Sequence, residues 1–398
     1  MRIAFDARPL LGARTGVGVW LEGLLRGLAA TTSWEFLLLL PRKASLGVED
    51  VARTVVVAPS LPLPGTVWLH TTATTALTGA AAVVATLGVL PRRTHIPSVL
   101  MVHDLTPRLR PRSHTLANRF CFNAYFEESL AIATEIVCLS DATRAALATV
   151  LPQQTRRARV IRPGVDSFFS PAPPGEDPQD VRNRFASGRP FMVQLGTLEP
   201  RKGIATLVAA HAALVRADGL APDLVLAGSR GWGGSFVERA LAAHPEPARV
   251  HLPGYVSRHD ARALLRHGEA VIVASEEEGF GLPLAEAMAC GAACVASDAP
   301  ALVETGAGAV RHFPRGDAAA LAATLRSLFV GDEAVALRSA ALARATALGW
   351  DAPLAEWRAL LAQVGTSAQS RSHLWATQPP GQAGSPQLTM PADATPRD

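Results

Sequence analysis

The sequence predicts an α/β fold made of two Rossmann-like domains, each a doubly wound parallel sheet, that face each other across a cleft. Three observations support this prediction. The chain has 398 residues, more than one hydrophobic core usually organises. Short apolar runs alternate with helical patterns, which is typical of a parallel sheet wrapped by helices, and this alternation occurs twice. Between the two series lies Ser170–Pro178, where closely spaced prolines disfavour helix and central strand.

The linker and a change of composition near residue 365 divide the chain. We predict an amino-terminal domain over 1–172, a linker over 173–188 and a carboxyl-terminal domain over 189–349. A closing helix over 350–365 follows, and 366–398, rich in Ser, Gln, Pro and Thr, is predicted to be a disordered tail. The strand candidates are Arg2–Ala7, Glu35–Leu40, Thr54–Ala58, Ser98–Asp104, Glu135–Ser140 and Arg159–Pro163, then Phe191–Gly196, Asp223–Gly228, Val250–Pro253, Ala270–Ser275, Ala293–Ser297 and Ala309–Phe313.

The composition is that of a globular protein, with 48% apolar and 18% charged residues. The four cysteines form no CxxC pair, which predicts buried free thiols in a reducing compartment. No Asp-x-Asp motif and no His/Cys cluster with metal-ligand spacing occurs, so we expect no metal site.

The uncharged stretch over 71–91 is about long enough to cross a bilayer. It is rich in Thr, Ala and Gly, so we predict a helix and a strand inside the first domain and keep membrane insertion as the alternative. The sequence opens on an apolar strand without the features of a secretory signal. We therefore expect a cytoplasmic protein.

Residues 51–126 hold many basic side chains and a single acidic one, Asp104. Such a surface attracts anions such as lipid headgroups. We therefore also expect peripheral contact with the inner face of a membrane. A solvated arginine-rich surface explains the pattern equally well. No nucleic-acid-binding motif accompanies the arginines. They are Arg53, Arg92, Arg93, Arg108, Arg110, Arg112 and Arg119.

The most specific pattern in the chain follows a buried strand candidate. The segment Ser275-Glu-Glu-Glu-Gly-Phe-Gly-Leu-Pro-Leu-Ala-Glu-Ala-Met-Ala-Cys-Gly291 passes two glycines and enters a helix at Pro283, because proline suits the first helical position. The N–H groups at the start of this helix can hold an anion such as phosphate. They belong to Phe280, Gly281 and Leu282.

Two carboxylates in this segment, Glu278 and Glu286, lie eight positions apart and can flank one bound molecule. A carboxylate that accepts two hydroxyl protons is a natural ribose ligand, as in dinucleotide-binding folds. The alternative is that Glu276 and Glu277 are surface charge and that Glu286 favours the helix start.

A second loop, Gly196-Thr-Leu-Glu-Pro-Arg-Lys-Gly203, follows the first strand candidate of the second domain. Arg201 can bind a diphosphate through its planar fork, and Lys202 can bind it as a point charge. The chain contains only one other lysine, Lys43. Lysine is therefore scarcely used as surface charge here, and its presence in this loop favours a functional role over solvated cations.

These two segments resemble glycosyltransferase family 4, whose members are retaining enzymes of the GT-B fold. The stretch from Glu278 to Glu286 resembles the E-x7-E motif of the family, and the second loop is similar to its G-T-L-E-P-R-K-N loop. The resemblance implies that Glu278 binds the donor sugar, Glu286 the nucleotide ribose and the amides between them the diphosphate. Thr197 stands where some relatives place an arginine, which leaves Arg201 as the candidate for that guanidinium.

The loop over Asp6–Trp20 joins the first strand candidate to the first helix. A dinucleotide fingerprint needs a third glycine where Leu21 stands, so that interpretation fails. The loop resembles the first loop of the family, which implies that Gly16 and Gly18 approach the donor diphosphate and the acceptor. Simple turn formation is the alternative for both glycines.

The segment Val102-His-Asp104 closes a strand candidate. An imidazole offers both a donor and an acceptor, so His103 can orient a sugar, although a strand histidine is more often packing. The segment resembles the V-H-D-L of the family, which implies that His103 lies near the anomeric carbon of the donor. Asp104 then braces this loop or faces the acceptor.

Two further segments are similar to the family's donor pocket. Leu226–Trp232 resembles its strand-end G-x-x-G-W, which includes Gly228, and His251–Val256 resembles the segment that cups the base through backbone groups and Val256. For Trp232 and Tyr255, core packing is an equal alternative.

The resemblance covers residues 2–365 and implies transfer of a hexose, with retention, from a nucleotide diphosphate sugar to a glycan or lipid-linked acceptor in polysaccharide biosynthesis. GDP-mannose is the favoured donor and a UDP-sugar the alternative, with no cofactor and no metal. The first domain is then the acceptor side. The implied catalytic residues are His103, Glu278, Arg201 and Lys202, and the implied donor-binding residues are Gly16, Gly18, Gly196, Gly228, Val256, Phe280, Gly281, Leu282 and Glu286.

Three other classes of protein compete with this interpretation. A nicotinamide oxidoreductase needs the glycine fingerprint with an acidic residue about 20 positions later, and neither half supplies both. A nucleotide-sugar epimerase of the same fold would isomerise the donor without any acceptor. A non-catalytic scaffold would bind membranes through the basic first domain.

Overall fold

The computed structural model describes residues 1–12, 14–56, 65–92, 94, 96–109, 116–218, 221–231 and 235–376. Two all-parallel sheets organise this part of the chain, as predicted. The first has seven strands in the order β3-β2-β1-β4-β5-β6-β7. These are β1 (Arg2–Asp6), β2 (Glu35–Leu40), β3 (Arg53–Val56), β4 (Ala82–Ala85), β5 (Ser98–Val102), β6 (Glu135–Cys138) and β7 (Ala158–Val160).

The second sheet has six strands in the order β10-β9-β8-β11-β12-β13. They are β8 (Phe191–Leu195), β9 (Asp223–Ala227), β10 (Val250–Gly254), β11 (Val271–Val273), β12 (Cys294–Ser297) and β13 (Arg311–Phe313). Strands such as β2 and β9 are buried along nearly their whole length, because helices cover both faces of a parallel sheet. In each sheet the strand order changes direction at one point, between β1 and β4 in the first sheet and between β8 and β11 in the second. Ligands of such sheets bind at the carboxyl ends of the strands beside this point.

Helices fill the connections between the strands. They are α1 (Gly16–Thr31), α2 (Gly65–Thr71), α3 (Thr106–Leu109), α4 (Leu116–Ile132), α5 (Asp141–Val150), α6 (Pro152–Thr155), α7 (Gln179–Phe185), α8 (Ile204–Asp218), α9 (Phe236–Ala242), α10 (Arg258–His267), α11 (Leu282–Ala289), α12 (Pro300–Gly306), α13 (Ala318–Val330), α14 (Glu333–Ala345) and α15 (Asp351–Ala376).

The stretch over 71–91 contains the end of α2, a short helical turn at Ala73–Leu77 and the buried strand β4. This agrees with the prediction of a helix and a strand within the first domain. No helix in the described part of the chain combines the length and the apolarity needed to cross a membrane.

The structure differs from the predicted elements at three places. Several predicted strands, among them Ser98–Asp104, Glu135–Ser140 and Phe191–Gly196, extend one or two residues too far at their carboxyl ends. The predicted linker over 173–188 contains α7, which follows Pro178, since proline is tolerated next to the first turn of a helix. Helix α15 continues past 365 to Ala376, because a helix anchored by buried side chains extends at little further cost. Residues 377–398 of the predicted tail lie outside the described residues.

The closing helix α15 packs on the first domain rather than on the second. The indole of Trp350, at its start, lies where a Cβ on Gly23 of α1 would stand, 2.5 Å from that position. Trp357 is fully buried and its ring centroid lies 6.0 Å from that of Trp20. The chain therefore crosses twice between the domains, and this second crossing ties α15 to α1.

Candidate active site

The carboxyl edges of the two sheets meet at Gly279, in the loop that follows β11. Its carbonyl accepts hydrogen bonds from Ser140 (2.6 Å) and Thr143 (3.0 Å), which follow β6 in the first domain. A Cβ at position 279 would lie 1.8 Å from the carbonyl oxygen of His103, at the end of β5. Only glycine fits so close an approach of two backbones, and the first Glu of the E-x7-E motif is thereby brought to the edge of the first domain.

A second contact between the domains involves Glu304 of α12. Its carboxylate accepts hydrogen bonds from the N–H groups of Asp141 (3.1 Å) and Ala142 (2.8 Å) at the start of α5. The same carboxylate pairs with Arg162 at 2.8 Å. A negative charge at a helix amino terminus is stabilised by the helix dipole, so Glu304 fastens the second domain to the first.

Glu278 lies at the centre of a charged group on the second domain. Lys202 Nζ lies 2.6 Å and Ser275 Oγ 2.8 Å from its Oε1, and an Arg201 nitrogen lies 3.9 Å from its Oε2. Burial alone raises the pKa of Glu278, but Lys202 and Arg201 outweigh burial and hold it below its ordinary value. Glu278 is therefore an ionised hydrogen-bond acceptor at neutral pH.

Arg201 lies among carboxylates. Its Nε lies 2.7 Å from Glu199 Oε1. Burial disfavours its charge, but Glu278, Asp104 and Glu199 more than compensate and raise its pKa. Asp104 belongs to the first domain, and Arg201 together with the Thr106 bonds keeps the pKa of Asp104 low against the effect of its burial. The structure thus pairs Arg201 with carboxylates of the second domain and places it within electrostatic reach of Asp104, and its role at a diphosphate stays a prediction.

The loop after β8 reaches Glu278 because of one glycine. Residues Pro200–Lys202 form a single 3₁₀ turn that ends at Gly203 in the left-handed region, with φ of 66°. A Cβ at Gly203 would lie 2.0 Å from the carbonyl oxygen of Ala274, which precedes Ser275. This close approach brings the Lys202 ammonium over the loop that follows β11.

Helix α11 begins one residue earlier than predicted, so Pro283 is its second residue. Gly281 caps it in the left-handed region with φ of 94°, and a Cβ there would lie 2.5 Å from a methyl group of Leu302. In the described part of the chain no backbone acceptor takes the N–H groups of Phe280, Gly281 and Leu282. This helix start can therefore hold an anion.

The glycine loop of the first domain faces this helix start. Gly16, the first residue of α1, is exposed, and a Cβ on it would lie 3.9 Å from a methyl group of Leu282. Gly18 is buried instead, and a Cβ on it would lie 2.5 Å from the carbonyl oxygen of Pro9. The structure brings Gly16 to the candidate site and gives Gly18 a packing role.

Glu286 is half-buried on α11, and the described residues provide its carboxylate with no hydrogen-bond or ion-pair partner. Burial raises its pKa to about 8; Arg258 opposes this rise and Asp166 adds to it. Those two neighbours pair with each other at 2.7 Å. Glu286 is thus poised to accept hydroxyl groups once it ionises.

His103 lies at the carboxyl end of β5, as predicted. Its Nε2 lies 2.6 Å from the carbonyl oxygen of Thr86, and its ring packs edge to face against Trp20 at 5.3 Å. A carbonyl oxygen only accepts, so Nε2 carries the proton and the neutral ring presents Nδ1 as an acceptor. Burial lowers the pKa of His103, although Thr86 and Asp104 oppose this, so the ring is neutral at pH 7.

The remaining predicted site residues line the carboxyl edge of the second sheet. A Cβ on Gly228 would lie 2.0 Å from the carbonyl oxygen of Gly196, so these two strand ends are in backbone contact. Val256 is half-buried against the core. Tyr255 is 56% exposed, so core packing is the wrong interpretation for it. Trp232 lies outside the described residues.

The basic region of the first domain is largely neutralised where its side chains are described. Glu128 lies 2.8 Å from Arg92, Glu35 lies 3.9 Å from Arg53, and Arg108 pairs with Glu127. The acids lie outside the sequence window that holds the arginines. The other members of the set, Arg93, Arg110, Arg112 and Arg119, lie where the structure describes no side chain.

Several residues of the site were not predicted from the sequence. Ser140, Thr143 and Glu304 join the domains, Ser275 binds Glu278 and the backbone of Thr86 binds His103. Single serines, threonines and glutamates carry no distinctive spacing. Only the position of Ser140 and Ser275, two residues beyond the end of a strand, marked them, since ligands bind at the carboxyl ends of parallel strands.

Parts of the chain are similar to known proteins. Residues 176–341 match the family described as Glycosyl transferases group 1. The O-antigen chain mannosyltransferase B of Escherichia coli is 27% identical over 207 residues, 52% of this chain and 54% of that protein. An alpha-maltose-1-phosphate synthase of Mycolicibacterium smegmatis is 28% identical over 246 residues, 58% of this chain and 62% of that protein. The chain thus aligns with between half and two thirds of these relatives' length.

Among solved structures, Anabaena HepE in complex with UDP-glucose superposes with a TM-score of 0.70 at 18% identity, covering 94% of this chain and 100% of that one. Two parallel-sheet domains with such neighbours define the GT-B fold. Within that fold, the second domain carries the match to Glycosyl transferases group 1, and this match agrees with the resemblance of the motifs to glycosyltransferase family 4.

Proposed function

We propose that this protein is a retaining glycosyltransferase that moves a hexose, preferably mannose, from a nucleotide diphosphate sugar to a glycan or a lipid-linked acceptor. The observation that supports it most is the arrangement of two acids. Glu278 is ionised and lies 2.6 Å from Lys202, and Glu286, whose carboxylate has no partner among the described residues, lies on the helix that follows Glu278. The two acids fit the two sugars of the donor, and the cation and the open helix start between them fit its diphosphate.

In this mechanism Glu286 accepts the ribose hydroxyls, and Glu278 accepts hydroxyls of the transferred sugar. Lys202 and the N–H groups of Phe280–Leu282 stabilise the negative charge that develops as the diphosphate leaves, an effect that grows in a water-excluded cleft. His103 presents Nδ1 as an acceptor toward the donor sugar. We propose no metal for this step, and the retained configuration follows from the family resemblance.

The choice of GDP-mannose rests on the mannosyltransferase among the relatives and on the Gly196–Gly203 loop. A UDP-glucose donor is the second candidate, because the structural neighbour HepE was solved with UDP-glucose. A lipid-linked acceptor would bring the first domain to an anionic membrane, where the half-exposed Arg92 and the exposed Arg53 are available to headgroups.

A thermal-shift series with GDP, UDP, ADP and their sugars tests the donor, because a ligand that binds only the folded state raises the melting temperature. We expect the largest shift with GDP-mannose. Labelled donor and a set of glycan acceptors, with EDTA present, then test transfer, and the anomeric NMR coupling of the product tests retention. An inverted product, a requirement for added metal or isomerisation of donor without acceptor would each contradict the corresponding part of the proposal.

A further inference from the structure

Glu278 is held by more than its cations, because a series of hydrogen bonds crosses the second sheet and ends on it. Ser275 Oγ donates to Glu278 Oε1 at 2.8 Å. The hydroxyl of Ser297 donates to the carbonyl oxygen of Ser275. His312 Nδ1 donates to the carbonyl oxygen of Ser297 at 3.0 Å. Carbonyl and carboxylate oxygens only accept here, so every bond in the series points toward Glu278.

The donors of this series come from three neighbouring strands. Ser275 follows β11, Ser297 is the last residue of β12, and His312 lies within β13. Ser275 is 1% exposed and Ser297 is fully buried. Buried hydroxyls are hydrogen-bonded in folded proteins, and here their bonds fix both the backbone and the carboxylate of the loop that carries Glu278.

We infer that Ser275 and Ser297 are positioning residues, which set the orientation of the Glu278 carboxylate toward the donor sugar. This inference rests on the proposed function. Lys202 has two partners under that function, Glu278 and the donor diphosphate, so its ammonium alone does not define where Oε1 points. The Ser275 hydroxyl supplies a second, directional bond to the same oxygen, and hydrogen bonds to an ionised acceptor are among the stronger ones.

Ser129 of the first domain shows what a purely structural buried serine looks like. It is 2% exposed, donates to the carbonyl oxygen of Tyr125 at 2.7 Å and accepts from the N–H of Leu90 at 2.9 Å. Both partners are backbone groups. Ser275 instead donates to the side chain of an acid of the candidate site, and Ser297, although its partners are backbone groups, donates to the carbonyl of Ser275 itself. Ser129→Ala is therefore a matched control for loss of a buried hydroxyl.

The first test compares the affinities of GDP and GDP-mannose by calorimetry, and UDP with UDP-glucose if that pair stabilises the wild type. We expect Ser275→Ala to lose about tenfold in affinity for the nucleotide sugar with unchanged affinity for the nucleotide diphosphate. Ser297→Ala follows with a smaller loss, Ser275→Thr recovers most of it, and Ser129→Ala changes neither affinity. Equal losses for both ligands, or a Ser275→Ala variant that matches Ser129→Ala, overturn the inference.

A second test needs no donor. Double-mutant cycles of each serine variant with Glu278→Gln, followed by urea denaturation, measure whether the hydroxyl acts through the carboxylate. We expect non-additive shifts of the denaturation midpoint for Ser275→Ala and Ser297→Ala, and additive shifts for Ser129→Ala. An additive cycle at Ser275 overturns the inference even where transfer is observed. Non-additive cycles in a protein that binds none of the nucleotides contradict the proposed function instead.

Discussion

Glu278 and Glu286 belong to one motif, yet their surroundings move their pKa values in opposite directions. Both are withdrawn from water, which alone raises the pKa of each. Lys202 and Arg201 reverse that effect at Glu278, whereas at Glu286 the charges of Arg258 and Asp166 oppose each other and its pKa reaches about 8. The comparison teaches that one acid of the motif is a permanent anion and the other ionises close to neutral pH, as in other active sites that need two carboxyl groups with different roles.

The largest effect is expected at the permanent anion. Glu278→Gln keeps the shape of the side chain and removes the charge that Lys202 neutralises. We expect kcat/KM to fall by on the order of 100-fold while the circular dichroism spectrum stays unchanged. The neighbouring Glu276→Gln serves as control and should retain activity. Normal turnover in Glu278→Gln would remove Glu278 from the site.

The next effect concerns Lys202, the cation that pairs with Glu278. Lys202→Met keeps the length of the side chain and removes its charge, so the pKa of Glu278 should rise toward its ordinary value. We expect kcat/KM to fall by roughly 10- to 100-fold and the acidic limb of its pH profile to move to higher pH. Lys43, the other lysine of the chain, is exposed, and Lys43→Met is the matched control. An unchanged acidic limb would contradict the assigned ion pair.

A smaller effect is expected on the free energy of unfolding when Glu286 is replaced. Its pKa in the folded protein, about 8, exceeds its ordinary value of 4.5. The uncharged carboxyl is thus favoured by folding, and this contribution is complete below pH 4.5 and disappears as the pH rises through 8. We expect Glu286→Gln to match the wild type at pH 4 and to be more stable at pH 9, by on the order of 3 kcal/mol.

Urea denaturation across this pH range measures the difference. The exposed Glu356 on α15 offers Glu356→Gln as the control for the same substitution at the surface. If the free energies of unfolding of Glu286→Gln and the wild type differ by the same amount from pH 4 to 9, the raised pKa of Glu286 is wrong.

The smallest effect is expected at the two charged neighbours that shift the pKa of Glu286. Asp166→Asn removes the negative charge that raises the pKa of Glu286 and releases Arg258 from its 2.7 Å ion pair. Both changes lower the pKa of Glu286, by roughly half a unit for charges near a protein surface. Nucleotide affinity, which requires the carboxylate, should then rise at a lower pH than in the wild type. Arg258→Ala should move that midpoint the other way, and identical midpoints in the three proteins would contradict this coupling.

The sheets, the order of elements and the motif loops could be predicted because each depends on a short stretch of sequence. Apolar runs define β2 and β9, and glycine and proline mark the ends of α11. The opposed pKa values could not be predicted, since Arg258 and Asp166 come from other segments of the chain. The ion pairs of Arg92 and Arg108 were not predicted either, because their partners Glu128 and Glu127 lie just beyond the basic stretch over 51–126.

The predicted roles of Arg201 and Gly18 show the other limit of local patterns. A guanidinium in a diphosphate-binding motif and a glycine in a loop are ordinary candidates for ligand contact. Their actual neighbours, the carboxylates around Arg201 and the Pro9 carbonyl beside Gly18, depend on how distant segments fold together. Tertiary contacts therefore decide which members of a motif remain open to a ligand.

The contact at Gly279 limits how the protein can be recombined with its relatives. A chimera that joins this first domain to the second domain of a relative must bring a glycine to the place where the His103 carbonyl lies 1.8 Å from a hypothetical Cβ. It must also keep hydroxyl side chains at 140 and 143 to bind the facing carbonyl. Domains can therefore be exchanged only where the backbones at this contact fit each other. Two domains chosen without regard to this contact will not pack together.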